Sequence, residues 1–480
     1  MTEISFVRSG MIPPQAPPTR ESGVVKWLRE NLFATKRDTF LTFVALAFVL
    51  YLLSHFVPWL LNGVWVAKSL GECRDIIAAE AGEGATGACW AIIRERWNQF
   101  LFGFYPQDAY WRPLLAFGLL FVALAPVLYY GLQKANTMLI GIVSVLTILA
   151  LLGVGTDGTH VALAAAVMAG LTGLARMAPG RLVYVTALFP AVGFYLLWGG
   201  SVWGPIGVLA GFGIFGLVWY LLQKRLGVVV AAGIALLVAA LWWMKVQTLV
   251  TTVIHNAIPL GLEPVDSDVF GGFLLAFTIG VTAISASLPI GILLALGRRS
   301  DMPLVKTLSV GFIEFIRGVP LITMLFTASL LLQYFLPPQT NFDLILRVII
   351  LVTLFASAYI AEVIRGGLAA LPRGQYEAAD ALGLDYWQAQ RLIIMPQALK
   401  ISIPGIVSSF IGLFKDTTLV ALVGLADPLQ GITKIVRADI NWKGVYWEPL
   451  IFVGLIFFLV CFSMSRYSMY LERKLKTDHR

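Results

Sequence analysis

The sequence predicts an all-α protein that crosses a membrane about twelve times. Of its 480 residues, 58% are hydrophobic and 13% charged, about half the charge of an ordinary soluble domain. Apolar runs of about 20 residues, long enough to cross a hydrocarbon core of about 30 Å as helices, recur along most of the chain. A third observation is the gathering of Lys and Arg in alternate short loops, which gives the chain a sidedness.

The first apolar run begins near Phe40, after a leader rich in Pro (Pro13, Pro14, Pro17, Pro18) and then in charge (Lys26, Arg29, Lys36, Arg37). A cleaved signal peptide has a short charged region with the apolar region directly behind it. Residues 1–38 are therefore expected to form a cytoplasmic tail, with a short surface helix from Val24 to Phe33. Spans are expected near 39–61, 113–133, 136–153, 158–177, 181–199, 203–222 and 226–244. A second group follows near 270–296, 309–332, 343–364, 402–425 and 448–470.

Twelve spans starting inside return every even-numbered exit to the cytoplasm. The loops so placed carry Lys134, Arg176 with Arg181, Lys224-Arg225, Arg298-Arg299 with Lys306, the stretch Arg365 to Lys400 and the basic tail from Arg466. Outer loops such as Gly155-Thr156-Asp157-Gly158 are mixed or neutral. Both termini are thus expected inside. The net charge of +8 is accounted for by these inner loops, so no nucleic-acid partner is expected.

The outer loop near 62–112 contains Cys73 and Cys89. An oxidising compartment permits a disulfide there, and two unpaired thiols fit the sequence equally well. Cys461 lies in a spanning run and reads as a packing residue. His55, His160, His255 and His479 are scattered, no metal-ligand spacing appears, and neither metal nor cofactor is expected. Trp203, Trp219, Trp242 and Trp243 read as interfacial anchors.

Composition changes near residue 265. Earlier spans carry almost no internal charge, whereas later ones are interrupted by charged residues and prolines, and intramembrane charge usually marks a pathway or coupling element. The expected division is a tail to 38, an extension of about seven spans over 39–265, a functional core over 266–472 and a basic tail over 473–480.

The decisive stretch is an inner loop reading Tyr376-Glu377-Ala378-Ala379-Asp380-Ala381-Leu382-Gly383, then Gln390-Arg391-Leu392-Ile393-Ile394-Met395-Pro396. Two short helices are expected: good helix formers run from Glu377 to Leu382, Gly383 can end that helix with positive φ, and Asp385 can cap the next. The stretch resembles the "EAA" loop of binding-protein-dependent ABC importer permeases, E-A-A, three residues, Gly, nine residues, I-x-L-P. Met395 replaces the usual Leu, a volume-conserving swap. The resemblance implies a C-terminal five-helix permease core whose loop (Glu377, Ala378, Ala379, Gly383, Ile393, Pro396) docks on a separate ATPase subunit. The P-loop motif is absent from the sequence, so the chain is read as a non-catalytic subunit.

The region from about 269 to 472 is similar to permeases of the polar amino-acid branch. The similarity rests on Leu288-Pro289-Ile290-Gly291, on Glu314-Phe315-Ile316-Arg317-Gly318-Val319-Pro320, on Tyr359 to Leu368 with Glu362-Val363-Ile364-Arg365-Gly366, and on Lys415-Asp416-Thr417-Thr418-Leu419. The repeated E-x-x-R-G puts each acid one helical turn before its base, where i,i+3 partners meet. An interfacial ion pair and a gate both fit that spacing. Lys415 and Asp416 fall inside an apolar run, where a lone charge costs a few kcal/mol. A structural pair and a lining of the path are both open, with the hydroxyls of Thr417 and Thr418 on hand to satisfy the charges. The resemblance further implies a pair of ATPases, a second and shorter permease, a periplasmic amino-acid-binding protein and a Gram-negative inner membrane. The rivals are an ion-gradient-driven secondary transporter, which predicts two similar six-span halves that the sequence lacks, and a membrane enzyme, for which no nucleophile and base stand out.

Overall fold

The computed structural model describes residues 23–129, 131–331, 334 and 343–475. The Pro-rich start of the leader and residues 476–480 of the basic tail lie outside the described residues. The chain divides into two compact units, Met1–Glu95 and Arg96–Arg480.

In the first unit, α1 (Gly23–Asn31) is the expected surface helix and α2 (Lys36–Leu61) the first span. Thr35 accepts the Asp38 N–H and caps α2. No described residue of α2 is buried, as expected of a helix apolar all round whose solvent is lipid. Beyond it, α3 (Leu70–Ala81) is capped by Ser69, and α4 (Ala91–Phe102) begins at the end of the unit. Cys73 and Cys89 are disulfide-bonded, with Cα atoms 5.9 Å apart. Gly63 is required here because a Cβ would come within 2.6 Å of the Trp90 indole, which stacks on Trp65.

The second unit carries α5 (Trp111–Leu128), α6 (Gln133–Gly153), α7 (Gly158–Met177), α8 (Leu182–Trp198) and α9 (Trp203–Leu226). The next span is interrupted: α10 (Val228–Leu241) passes through a π turn at Trp242–Val246 into α11 (Gln247–Ala257), well beyond the expected end at 244. Trp242 and Trp243 also tie the helices together. Their indole N–H groups donate across the hairpin to the Gly207 and Val208 carbonyls at 2.8 and 3.1 Å.

The compositional break near 265 is not a break in packing. Phe102, Tyr105 and Tyr110 from before it share one core with Phe270, Leu274 and Leu275 from after it. The Tyr105 hydroxyl donates to the Leu197 carbonyl at 2.7 Å, and buried Arg112 donates to the Glu263 carbonyl at 2.6 Å. A two-residue pairing of Gly200–Ser201 (β1) with Gly261–Leu262 (β2) closes the same end.

The C-terminal helices are α12 (Gly272–Arg298), α13 (Pro303–Gly318), α14 (Leu321–Phe326), α15 (Leu344–Ala369), α16 (Arg373–Ala381), α17 (Tyr386–Ala389), α18 (Met395–Asp416), α19 (Pro428–Ala438) and α20 (Trp447–Leu475). At one end Arg298 meets Glu362 and Arg299 reaches the Leu368 carbonyl, so α12 and α15 run parallel and the chain between them must return across the bundle. That return covers the span expected over 309–332 and is not one straight helix. It is a helix pair bent by 100°, because Pro320 lacks an N–H and forces Val319 into extended backbone (φ −106, ψ 130). Among the described residues eleven helices are long and apolar enough to cross a membrane, and twelve with the bent pair.

Candidate coupling site and its ion-pair cluster

The loop after α15 is built by local rules. Pro372 opens α16, and Gly383 closes it at φ +69, its N–H donating to the Asp380 carbonyl at 2.9 Å. Asp385 then forms a reciprocal cap with Gln388: the Gln388 N–H donates to the Asp385 carboxylate at 2.8 Å, and the Asp385 N–H to the Gln388 amide oxygen at 3.2 Å. From α17 the helix runs through a π turn (Gln390–Ile394) directly into α18. The π turn precedes Pro396, whose missing N–H breaks the regular ladder.

The motif residues divide by face. Ile394 and Met395 are buried against Ile364, Leu368, Leu371 and Ala398, which fixes the loop to the bundle, and Ile393 packs beside them; Ala379 is buried too. Glu377, Ala378, Gly383 and Pro396 are exposed. Two further anchors escaped the sequence reading. The Arg299 guanidinium donates to the Tyr376 hydroxyl at 3.0 Å and lies over its ring, and Gln397 donates to the Gln375 amide oxygen at 2.8 Å. Large apolar side chains also stand out from the loop: Leu382 is 71% exposed and Trp387 65%, with Tyr386 edge-on to Trp387. Only their position beside the motif hints at this in the sequence.

Just inside the loop the two E-x-x-R-G segments meet, though not as two separate pairs. Glu362 and Arg365 do pair at 3.0 Å. Glu314, however, pairs with Arg298 at 2.8 Å, and Arg317 with Glu362 at 3.5 Å. Arg298 also approaches Glu362 at 2.9 Å as a close ion contact without an aligned hydrogen bond. Glu362 is thus the hub. Its side chain is 14% exposed, against 54% for Glu314. Three arginines and two glutamates from α12, α13 and α15 leave the cluster one positive charge in excess, and Arg317 also lies over the Tyr359 ring. Arg298 was legible only as an inner-loop charge.

Lys415 and Asp416 end α18, where it tightens into a 3-10 segment over Thr417–Val423. Lys415 is exposed and Asp416 half-buried. The threonines do not serve them. Thr417 donates to the Phe414 carbonyl at 2.7 Å and Thr418 to the Lys415 carbonyl at 2.9 Å, the back-bonding usual for hydroxyls in a helix. Farther along, Asp427 caps α19 and is fully buried. Burial pushes its carboxyl up, against the N–H groups of Gln430 and Leu429, which pull it down. His160 stacks on Trp111, and the described residues contain no cluster suited to a metal.

A membrane-embedded bundle with an EAA loop at one end defines an ABC importer permease. Residues 287–477 match the model of the binding-protein-dependent transport system inner membrane component family. The chain is 62% identical over its whole length, and the whole of the relative, to the glutamate/glutamine/aspartate/asparagine transport system permease protein BztC of Rhodobacter capsulatus. It is 34% identical, over 97% of its length and 96% of the relative, to the inner membrane amino-acid ABC transporter permease protein YhdY of Escherichia coli. It is 32% identical, over 42% of its length and 91% of the relative, to the glutamate/aspartate import permease protein GltK of Escherichia coli. The chain belongs to this family of ABC importer permeases, and the ion-gradient reading is not favoured.

Proposed function

We propose that the chain is one of two permease halves of an importer for polar L-amino acids of the glutamate, glutamine, aspartate and asparagine class, driven by ATP hydrolysis on a partner chain. The observation that carries this is the EAA loop, a short helix with Glu377 and Ala378 outward, flanked by exposed Leu382, Tyr386 and Trp387 and fastened to the bundle by Ile394, Met395 and Arg299. That arrangement suits a lever pressed on by another subunit. A paired ATPase engages one loop from each permease, so a second permease, shorter in this reading, supplies the other. The substrate class comes from the relatives' names and the sparse intramembrane charge. A periplasmic binding protein delivers the substrate, and the chain lies in a Gram-negative inner membrane with both termini cytoplasmic. The Glu362 cluster, with Glu314, Arg317 and Arg365, gates the inner end, and Lys415, Asp416, Thr417 and Thr418 border the path.

The test is binding-protein-stimulated ATP hydrolysis and amino-acid uptake in vesicles holding the chain with its partners, comparing wild type with Glu377→Lys. Assembly with loss of both activities is the expected result. Uptake that persists without an ATPase and follows an ion gradient would sink the reading.

A further inference from the structure

Within the second unit a cavity of about 620 Å³ separates the preceding helices α5 and α8 from the core helices α12 and α15. It lies at the end of the bundle opposite the Glu362 cluster, since α12 and α15 both begin beside it. Its walls run over positions 113–120 of α5, 189–198 of α8 and 274–282 of α12. At 1.5 Å of rise per helical residue those stretches are roughly 10 to 14 Å deep. Half of a hydrocarbon core of about 30 Å is about 15 Å. The cavity therefore has the depth of one leaflet's acyl layer.

The walls have the matching chemistry. Phe117, Phe194, Phe277 and Ile349 present carbon, and the Thr278 hydroxyl is turned back onto the Leu274 carbonyl at 2.7 Å. Among the described lining residues charge appears only at the mouth, where Asp266 and Asp343 stand exposed. One Asp343 oxygen accepts the Leu346 N–H at 2.9 Å, which leaves the other for a ligand. Among the described residues no lysine or arginine lines the cavity. A zwitterionic amino acid has nothing to meet its charges below the mouth, and burying them unpaired is costly. A dry void of this size would forfeit the dispersion contacts that close-packed interiors keep.

We propose that this cavity is a lipid site: it takes an acyl chain of a phospholipid bearing a primary ammonium headgroup, with the ammonium held by Asp266 and Asp343. The lipid fills the joint between the preceding helices and the permease core. The site is separate from the coupling loop and does not depend on the transport reading. Charge selects the headgroup, because two carboxylates at the mouth repel an anionic phosphatidylglycerol and attract an ethanolamine. The shape selects the chain.

The experiment is native mass spectrometry of the assembled complex, purified in mild detergent from membranes with mixed lipids and then challenged with phosphatidylethanolamine or phosphatidylglycerol. One phosphatidylethanolamine per chain, preferred about tenfold over phosphatidylglycerol, is expected. Gly193→Leu with Ala116→Leu fills the cavity and removes the retained lipid. Asp266→Asn with Asp343→Asn keeps the chain bound but abolishes the headgroup preference, and folding is spared because Asn caps α15 as well as Asp does. Should the filled variant fail to assemble, the asparagine pair alone decides the matter. Equal retention of both lipids by wild type, retention of detergent only, or a preference untouched by the asparagine pair each overturns the proposal.

Discussion

Replacing Glu362 by Gln tests whether the charge cluster is organised around one carboxylate. Three arginines converge on it, and the pair with Arg298 is the most enclosed, with side chains 14% and 23% exposed. Breaking a fully buried pair costs roughly 3–5 kcal/mol and an exposed one roughly 0.2–1, so this contact contributes about 1–2 kcal/mol. Arg365 and Arg317 are 46% and 36% exposed and add a few tenths of a kcal/mol each. The expected loss for Glu362→Gln is about 2 kcal/mol. Glu314→Gln removes one contact of a solvent-exposed carboxylate and should cost clearly less, because solvent screens the pair. Unfolding of the purified complex in a denaturing detergent supplies the free energies, and a double-mutant cycle with Arg298→Met should return a coupling of about 1 kcal/mol. The reasoning fails if the two glutamine variants destabilise equally, or if that coupling is absent.

Other outcomes follow from single contacts. A Cβ at Gly291 would come within 2.7 Å of the Ile360 methyl, so Gly291→Leu should lower stability by roughly 1–3 kcal/mol through overpacking, while Gly311→Ala, inside α13 with nothing within 4 Å, should raise it by up to about 1 kcal/mol through helix propensity; the same denaturing-detergent unfolding reads both. Gly383→Ala places an L side chain at φ +69 in open space, costing about 1 kcal/mol locally; stimulated ATP hydrolysis should fall while assembly on a sizing column is unchanged. Cys73→Ser opens a loop of sequence separation 16, worth roughly 3 kcal/mol to its own unit, which faster proteolysis between 62 and 95 would report. For Asp439, burial pushes the carboxyl up, but hydrogen bonds from the Arg96 guanidinium and the Asn441 N–H outweigh it and hold the pKa below 3.8. The folded pKa is depressed, so this contribution is complete above pH 3.8 and is lost as pH falls through the folded value; Asp439→Asn should flatten that acid limb in a stability-versus-pH series.

Much of the site could be read before folding because its rules are local. Gly383 needed positive φ to end α16, Asp385 and Gln388 sat at capping-box spacing, and Pro396 broke the ladder behind a π turn, all from residues within one or two turns. The bend in the ninth span shows the limit. Pro320 was visible, yet an apolar run tells only that a segment tolerates lipid, and the 100° bend follows from the extended backbone at Val319.

Sequence alone determined the class of protein, since burial in lipid requires long apolar helices whatever their arrangement, and the EAA spacing is a matter of consecutive residues. Tertiary structure decided who meets whom. Arg298 is sixteen residues from Glu314 and far from Glu362 in the chain, and only the parallel packing of α12 against α15 makes Glu362 the hub in place of two i,i+3 pairs. The same packing joins Phe102 and Tyr105 to Phe270 across the compositional break and leaves the carbon-lined cavity between α5, α8, α12 and α15. Pairing energies between distant residues depend on distances in space, which no local spacing encodes.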